Sequence, residues 1–330
     1  MSDKLNNVIS RFLPMPENAV KGLEHEAKIT DFEIIKELGS GSLGNVYLVM
    51  HKETKAEYAI KAIDKRNKKM IEEKNCKNFR RPVEDEYKMH HPNIVKLFGH
   101  FEDNNYFYII MEYFSKGNIY NLIPTDKKKR LSAKICASII KDVICAVYFL
   151  HNMKPPIIDI DIKPENVLLT EGLVAKLRCL SFKKYIIEEE DRRRAGGATY
   201  IYKYLPPEIL QEKEPDEAAD IWRIGVLLFE LVTGNFPFQG NDISSFIENI
   251  LKLRIYWPRD INTDAKNLIM KILKLDPKGR LPLENMLKHP FIAKYFPDAT
   301  KYLIKPEEGA QYKPFIVCKD DPKTWKPEKI

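Results

Sequence analysis

No run of apolar residues in this chain is long enough to cross a bilayer. The longest, Ile221 to Val232, falls short of the roughly 20 residues a spanning helix needs, and Arg223 and Glu230 interrupt it. The opening residues, Met1-Ser2-Asp3-Lys4-Leu5-Asn6-Asn7, have no apolar core of the kind that directs secretion. Cysteine is scarce: five residues, an odd number at irregular spacing, fit neither a disulfide framework nor a zinc site. No internal repeat stands out. No basic stretch interleaved with aromatics marks a nucleic-acid reader. We therefore expect a reduced, intracellular, cytoplasmic protein with no membrane and no specific nucleic acid among its partners.

What is present suits a globular chain. With 330 residues, 44% hydrophobic and 31% charged, it can bury a full core. The formal net charge of +7 is modest for this length and favours acidic partners without selecting one. Basic clusters at Lys65-Arg66, Lys68-Lys69, Arg80-Arg81, Lys127 to Arg130 and Arg192 to Arg194 read first as solvated faces.

The layout changes along the chain. Residues 1–31 are a polar lead-in with Pro14 and Pro16. Phe32-Glu33-Ile34-Ile35, Val46 to Val49, Tyr58 to Ile63 and Tyr106 to Tyr113 are rich in aromatic and β-branched residues, which predicts strands. Apolar residues at helical spacing from Ala133 to Leu150 and from Ala218 to Leu231 predict helices. A β-rich first third followed by a helical remainder is an α+β layout. From Pro297 to Ile330 the steps Lys305-Pro306, Lys313-Pro314 and Lys326-Pro327 predict an extended arm. Its spaced aromatics, Tyr302, Tyr312, Phe315 and Trp325, mark it as a docking strip for a partner; the alternative is that it folds back on its own domain.

Several motifs follow one another in a fixed order. Leu38-Gly39-Ser40-Gly41-Ser42-Leu43-Gly44-Asn45-Val46 is a glycine turn between strands. It precedes Tyr58-Ala59-Ile60-Lys61, where a lysine ending an apolar strand calls for a charged partner. Asp159-Ile160-Asp161-Ile162-Lys163-Pro164-Glu165-Asn166 comes next, then Tyr204-Leu205-Pro206-Pro207-Glu208, Asp220-Ile221-Trp222-Arg223-Ile224-Gly225 and Asp276-Pro277-Lys278-Gly279-Arg280. Together these resemble the protein kinase family from about Phe32 to Pro297. Pro206, His91-Pro92-Asn93-Ile94-Val95 and His289-Pro290-Phe291-Ile292 look most like its Aurora-type Ser/Thr branch.

The resemblance implies a bilobal protein kinase fold over 32–296, with a β-rich N-lobe at 32–113 and a helical C-lobe at 117–296. It implies an ATP site from Gly39, Gly41, Gly44, Val46, Ala59, Lys61 and Leu168, with a hinge from Glu112 to Phe114 guarded by Met111. Glu84, seven residues before His91, would pair with Lys61; Glu86 competes for that place. Asp161 and Lys163 would be catalytic, and Asn166 would hold magnesium. Asp220 would anchor the catalytic-loop backbone, and Arg280 would pair with Glu208.

Departures from the pattern are as informative. The second magnesium-binding carboxylate of the family falls at Cys179, in Lys176-Leu177-Arg178-Cys179-Leu180-Ser181-Phe182. A buried thiol is a poor magnesium ligand. Ile160 replaces the arginine that receives the activation-loop phosphate, and Gly196-Gly197 stand where phosphorylated threonines are expected. Pro82 would start or kink the helix carrying Glu84, which works against the Lys61–Glu84 pair. Asp159, where an uncharged residue is usual, must find a partner or raise its pKa. We therefore expect a catalytically impaired homologue, a pseudokinase acting as a scaffold, with ATP retained and magnesium weak or absent. The alternative is a weakly active Ser/Thr kinase using Asp161 and Lys163. By family analogy, tubulin or another kinase would be the partner, at the cytoskeleton or cilium.

Overall fold

The computed structural model describes residues 27–41, 44–66, 89–123, 130–179, 200–307 and 316–317. Of these, the residues up to Tyr113 together with 316–317 form one compact unit. Phe114 to Cys179 and 200–307 belong to a second. Glu84, Glu86, Pro82, Leu180, Gly196, Gly197, Phe315 and Trp325 lie outside the described residues.

The first unit is a sheet. Strands β1 (Phe32–Gly41), β2 (Gly44–His51), β3 (Glu57–Asp64), β4 (Leu97–Glu102) and β5 (Tyr106–Met111) pair antiparallel in the order β1-β2-β3-β5-β4. Each strand read from the sequence has its counterpart in this set, the last running two residues past the end of β5. β4 was missed, because its residues are buried at every position and carry a glycine and a glutamate, so no alternation marks it. Phe32 stacks on Phe101 with ring centroids 6.2 Å apart, and Phe101 on Tyr108 at 4.7 Å. Val49, Tyr58, Ile60 and Ile110 close the same core. Ala27 and Ile29 also belong to it, so the polar lead-in ends as packed chain.

Gly44 has a specific reason to be glycine. Its φ is +143°, and a Cβ there would lie 1.8 Å from the carbonyl oxygen of Ala62 on the neighbouring strand.

The second unit is mainly helical, with a small hairpin. α1 (Ala133–His151) is capped by Ser132, whose hydroxyl accepts from the Ile135 N–H at 3.3 Å. The hairpin of β6 (Val167–Leu169) and β7 (Ala175–Leu177) sits against α1. There the Asp142 carboxylate accepts from the Ala175 N–H at 2.9 Å. After α2 (Pro207–Leu210), α3 (Glu217–Thr233) runs from the Asp216 cap to a left-handed Gly234. α4 (Ile243–Leu251) and α5 (Thr263–Ile272) follow. A Cβ on Gly225 of α3 would meet the Ile272 side chain of α5 at 2.6 Å, so that glycine permits the close crossing.

The residues expected to start an extended arm are not extended throughout. Ala299–Tyr302 forms a 3-10 turn, Ala299 and Ile304 are buried, and the Lys141 ammonium lies 5.0 Å from the Tyr302 ring. Ile316–Val317 forms a short strand, β8, that adds parallel to the edge of β4 opposite Gly99 and His100. At these residues the arm lies against this chain's own units. Its Lys-Pro steps could not reveal that, because proline fixes a local conformation and says nothing of what the segment lies against.

One buried acid has a measurable consequence. The Tyr204 hydroxyl hydrogen-bonds the Glu230 carboxylate of α3. Burial pushes the Glu230 carboxyl up to about 7, with the Glu165 charge adding to the rise; the Tyr204 bond and the Lys203 charge oppose it. Between the ordinary carboxylate range and pH 7 the folded chain holds a proton that the unfolded chain has released. Stability therefore falls as pH rises through that window and levels off above it. At ~1.4 kcal/mol per unit, urea unfolding of the native chain should lose about 2–4 kcal/mol more from pH 5 to pH 8 than Glu230→Gln does. Equal losses in the two proteins would show that Glu230 does not carry this dependence.

Candidate active site

The first unit places four of the expected nucleotide residues on one sheet face. Val46 of β2 stands opposite Lys61 of β3, and Ala59 of β3 opposite Met111 of β5. Directly paired residues share a face, and so do residues two apart on one strand. Val46, Ala59, Lys61 and Met111 therefore point the same way. Ala59 and Met111 are buried. Gly39 and Gly41 lie at the end of β1, in register with Val46 and Gly44 across the turn. Glu112 is tied to Lys96 twice: its N–H donates to the Lys96 carbonyl at 3.0 Å, and its carboxylate accepts from the Lys96 N–H at 3.3 Å.

The second unit holds the loop from Asp159 to Asn166. Its anchor is Asp220, which has no accessible surface. One Asp220 oxygen accepts from the Ile160 N–H at 2.7 Å and from Arg223 Nη1 at 3.0 Å; the other lies 2.9 Å from His151 Nε2. Arg223 reaches on to pair with Asp159, which answers the question the sequence left open at that carboxylate. Asp159 sits at φ +59°, in the left-handed region that aspartate tolerates better than most residues. Ile160 is buried, so an apolar contact stands where a phosphate-binding arginine is expected. In the sequence Arg223 stands out only as part of a helix motif. Its position, in place of that motif's usual serine, was the available signal.

Further along the loop, Lys163 Nζ lies 3.1 Å from Asp161 Oδ2. The buried Asn166 amide nitrogen donates to the same Asp161 oxygen at 2.7 Å and to the Asp161 carbonyl at 2.8 Å. Its amide oxygen accepts from Arg178 Nη2 at 2.6 Å. The orientation of the amide is chemically forced, because a carboxylate only accepts and a guanidinium only donates. Burial works against the Arg178 charge, while the carboxylates of Asp161 and Glu165 support it. Cys179, next in the chain, is buried. Leu168 on β6 bridges to Asn118, and Phe114 is buried within this unit. Sequence reasoning missed Arg178 entirely.

A second ion pair braces the unit. Arg280 grips Glu208 through two bonds of 2.7 Å, donates to the Ala218 carbonyl at 2.7 Å and lies over the Trp222 ring at 5.2 Å.

A β-sheet unit, a helical unit and this loop define a protein kinase. The protein kinase domain family matches residues 32–292, and the chain belongs to that family. Aurora kinase of Yarrowia lipolytica is 36% identical over 285 residues, covering 86% of this chain and 74% of that protein. Aurora kinase of Saccharomyces cerevisiae is 36% identical, covering 82% and 71%, and Aurora kinase B of Mus musculus 34%, covering 80% and 74%. The chain is thus an Aurora-like protein kinase homologue, and its family binds ATP, usually with magnesium. Among the described residues, no helix is long and apolar enough to cross a membrane.

The Asp159–Arg223 pair can be measured directly. A double-mutant cycle with Asp159→Ala and Arg223→Ser should give a coupling of about 1–3 kcal/mol in unfolding free energy. Additive losses would mean that the two charges do not support each other.

Proposed function

We propose that this chain is an Aurora-like kinase homologue in which phosphoryl transfer is impaired and which acts as a scaffold or binding module. One observation carries the reading: Cys179 stands in a metal-ligand position beside Arg178, whose guanidinium faces the amide oxygen of Asn166. Magnesium demands hard oxygen donors in near-octahedral order. Here one expected carboxylate is a thiol and the other expected oxygen already faces a cation. This donor set does not fit magnesium. Loss of a single transition-state donor already lowers rate by ~10²–10³, and loss of a metal clamp should cost at least as much.

On this reading ATP remains a ligand. The shared face of Val46, Ala59, Lys61 and Met111 supports that, as does the kinase membership of the chain. Glu84 would pair with Lys61 and Leu168 would complete the adenine contact. The partners would be proteins, tubulin or another kinase, in the cytoplasm at the cytoskeleton or cilium. A net charge of +7 and the likeness to Aurora kinases support this placement.

A second reading is a weakly active Ser/Thr protein kinase. The relatives reported above are all named Aurora kinase, and Asp161 and Lys163 keep a close pairing. On that reading Asp161 would orient the substrate hydroxyl and accept its proton, while Lys163 would steady the transferred phosphoryl group.

Transfer of labelled phosphate from ATP to a generic basic substrate separates the two. The native chain should incorporate no more label than its Asp161→Asn variant. Incorporation that disappears in Asp161→Asn would overturn the impaired reading and establish the second. Cys179→Asp alone should leave transfer low, because Arg178 and Ile160 remain.

A further inference from the structure

Arg178 is held against Asn166 at two points. Its guanidinium donates to the amide oxygen at 2.6 Å, and its backbone N–H donates to the Asn166 carbonyl at 2.7 Å. The amide nitrogen of Asn166 is committed to Asp161. The family places a divalent cation against this amide oxygen; here the chain supplies a cation of its own. Exchange of the family's carboxylate for Cys179 also removes a negative charge, so less anionic surface is left to attract a metal. Two positive charges drawn to one buried side chain's oxygen repel each other strongly, because solvent screens them poorly there. A guanidinium is also the side chain best shaped to meet phosphate oxygens, with five N–H donors in a planar fork.

We propose that Arg178 is the resident cation of this centre and that nucleotide phosphate binds there without a divalent metal. The proposal rests on the reading of the chain as an ATP-binding kinase homologue with impaired transfer. It goes further by naming the group that replaces the metal and the ligand class that group meets. Cys179 and Arg178 then act together: an internal cation stands beside the position where the family's metal ligand is replaced.

The test is the affinity of the full chain for ATP, by calorimetry or with a fluorescent analogue, in EDTA and in excess magnesium. The native chain should bind with dissociation constants that agree within about twofold in the two conditions. Arg178→Ala should weaken binding in EDTA by about tenfold or more, and Arg178→Lys, which keeps the charge, should weaken it less. Arg178→Ala combined with Cys179→Asp should acquire an affinity that rises with magnesium. The comparison on the native chain stands even if a variant folds poorly. The proposal is overturned if magnesium raises native affinity about tenfold, if Arg178→Ala binds like the native chain in EDTA, or if ATP does not bind in either condition. It is also separable from the impaired-transfer reading. Metal-independent affinity with phosphate transfer would support Arg178 in its role and sink that reading; metal-dependent affinity without transfer would do the reverse.

Discussion

The Asp220 carboxylate is the constraint on which the helical unit's chemistry depends. It is fully inaccessible, so its charge is tolerable only because donors meet it: the Ile160 backbone, Arg223 and His151. Those donors come from the loop, from its own helix and from the end of α1. A single buried charge thus fixes the loop relative to two helices. Removing one partner of such a cluster typically costs 3–5 kcal/mol, since the others are left buried and unmet. Asp161, Lys163 and Asn166 follow the anchored Ile160 within six residues, so their mutual geometry is inherited from that anchor. Arg280 and Glu208 repeat the device between α2 and the chain beyond α5.

The departures from the kinase pattern look different once their neighbours are known. Asp159, taken alone, is a charge placed where the family keeps an uncharged residue; Arg223 meets it from α3. Cys179, taken alone, is a lost ligand; Arg178 beside it puts a cation on the oxygen that would share the metal. In each case the departure stands beside a guanidinium that meets a neighbouring polar group. An unmet charge in either place would weigh against folding, and the structure contains neither. The fold thus keeps the Asp220 anchor and the Arg280–Glu208 pair of the family pattern and adds Asp159–Arg223 and Arg178–Asn166 to them.

The fold class was legible because the motifs have local mechanical causes. Gly44 and Gly225 are glycines because another chain segment lies within van der Waals distance of where a Cβ would stand. The strands β1 to β3 announce themselves by β-branched and aromatic residues. What stayed hidden depends on contacts between residues distant in sequence. Arg223 and Asp159 are separated by 64 positions, and nothing at either one names the other. Arg178 carries no local signal of its role, because the amide it meets lies 12 positions back in the chain. β4 escaped because complete burial erases the alternation that marks a half-exposed strand. Ala27, Ile29 and the pairing of Ile316–Val317 with β4 are tertiary facts with no local signature.

Ile160 stands at the head of the loop, and its backbone is tied to Asp220. In the family pattern an arginine at this place makes the loop answer to a phosphate, because its guanidinium needs an anion to be satisfied. The isoleucine here is buried and needs none. Its side chain is stabilised by exclusion from water, and its backbone N–H is spent on Asp220. Arg223 bridges Asp159 and Asp220, so both carboxylates at the head of the loop meet a donor from within the chain. Further down, Arg178 and Asp161 occupy the two ends of the Asn166 amide. The loop's polar contacts are thus supplied from within the chain at both ends. A loop arranged in this way has its geometry set by contacts within the chain at both of its ends.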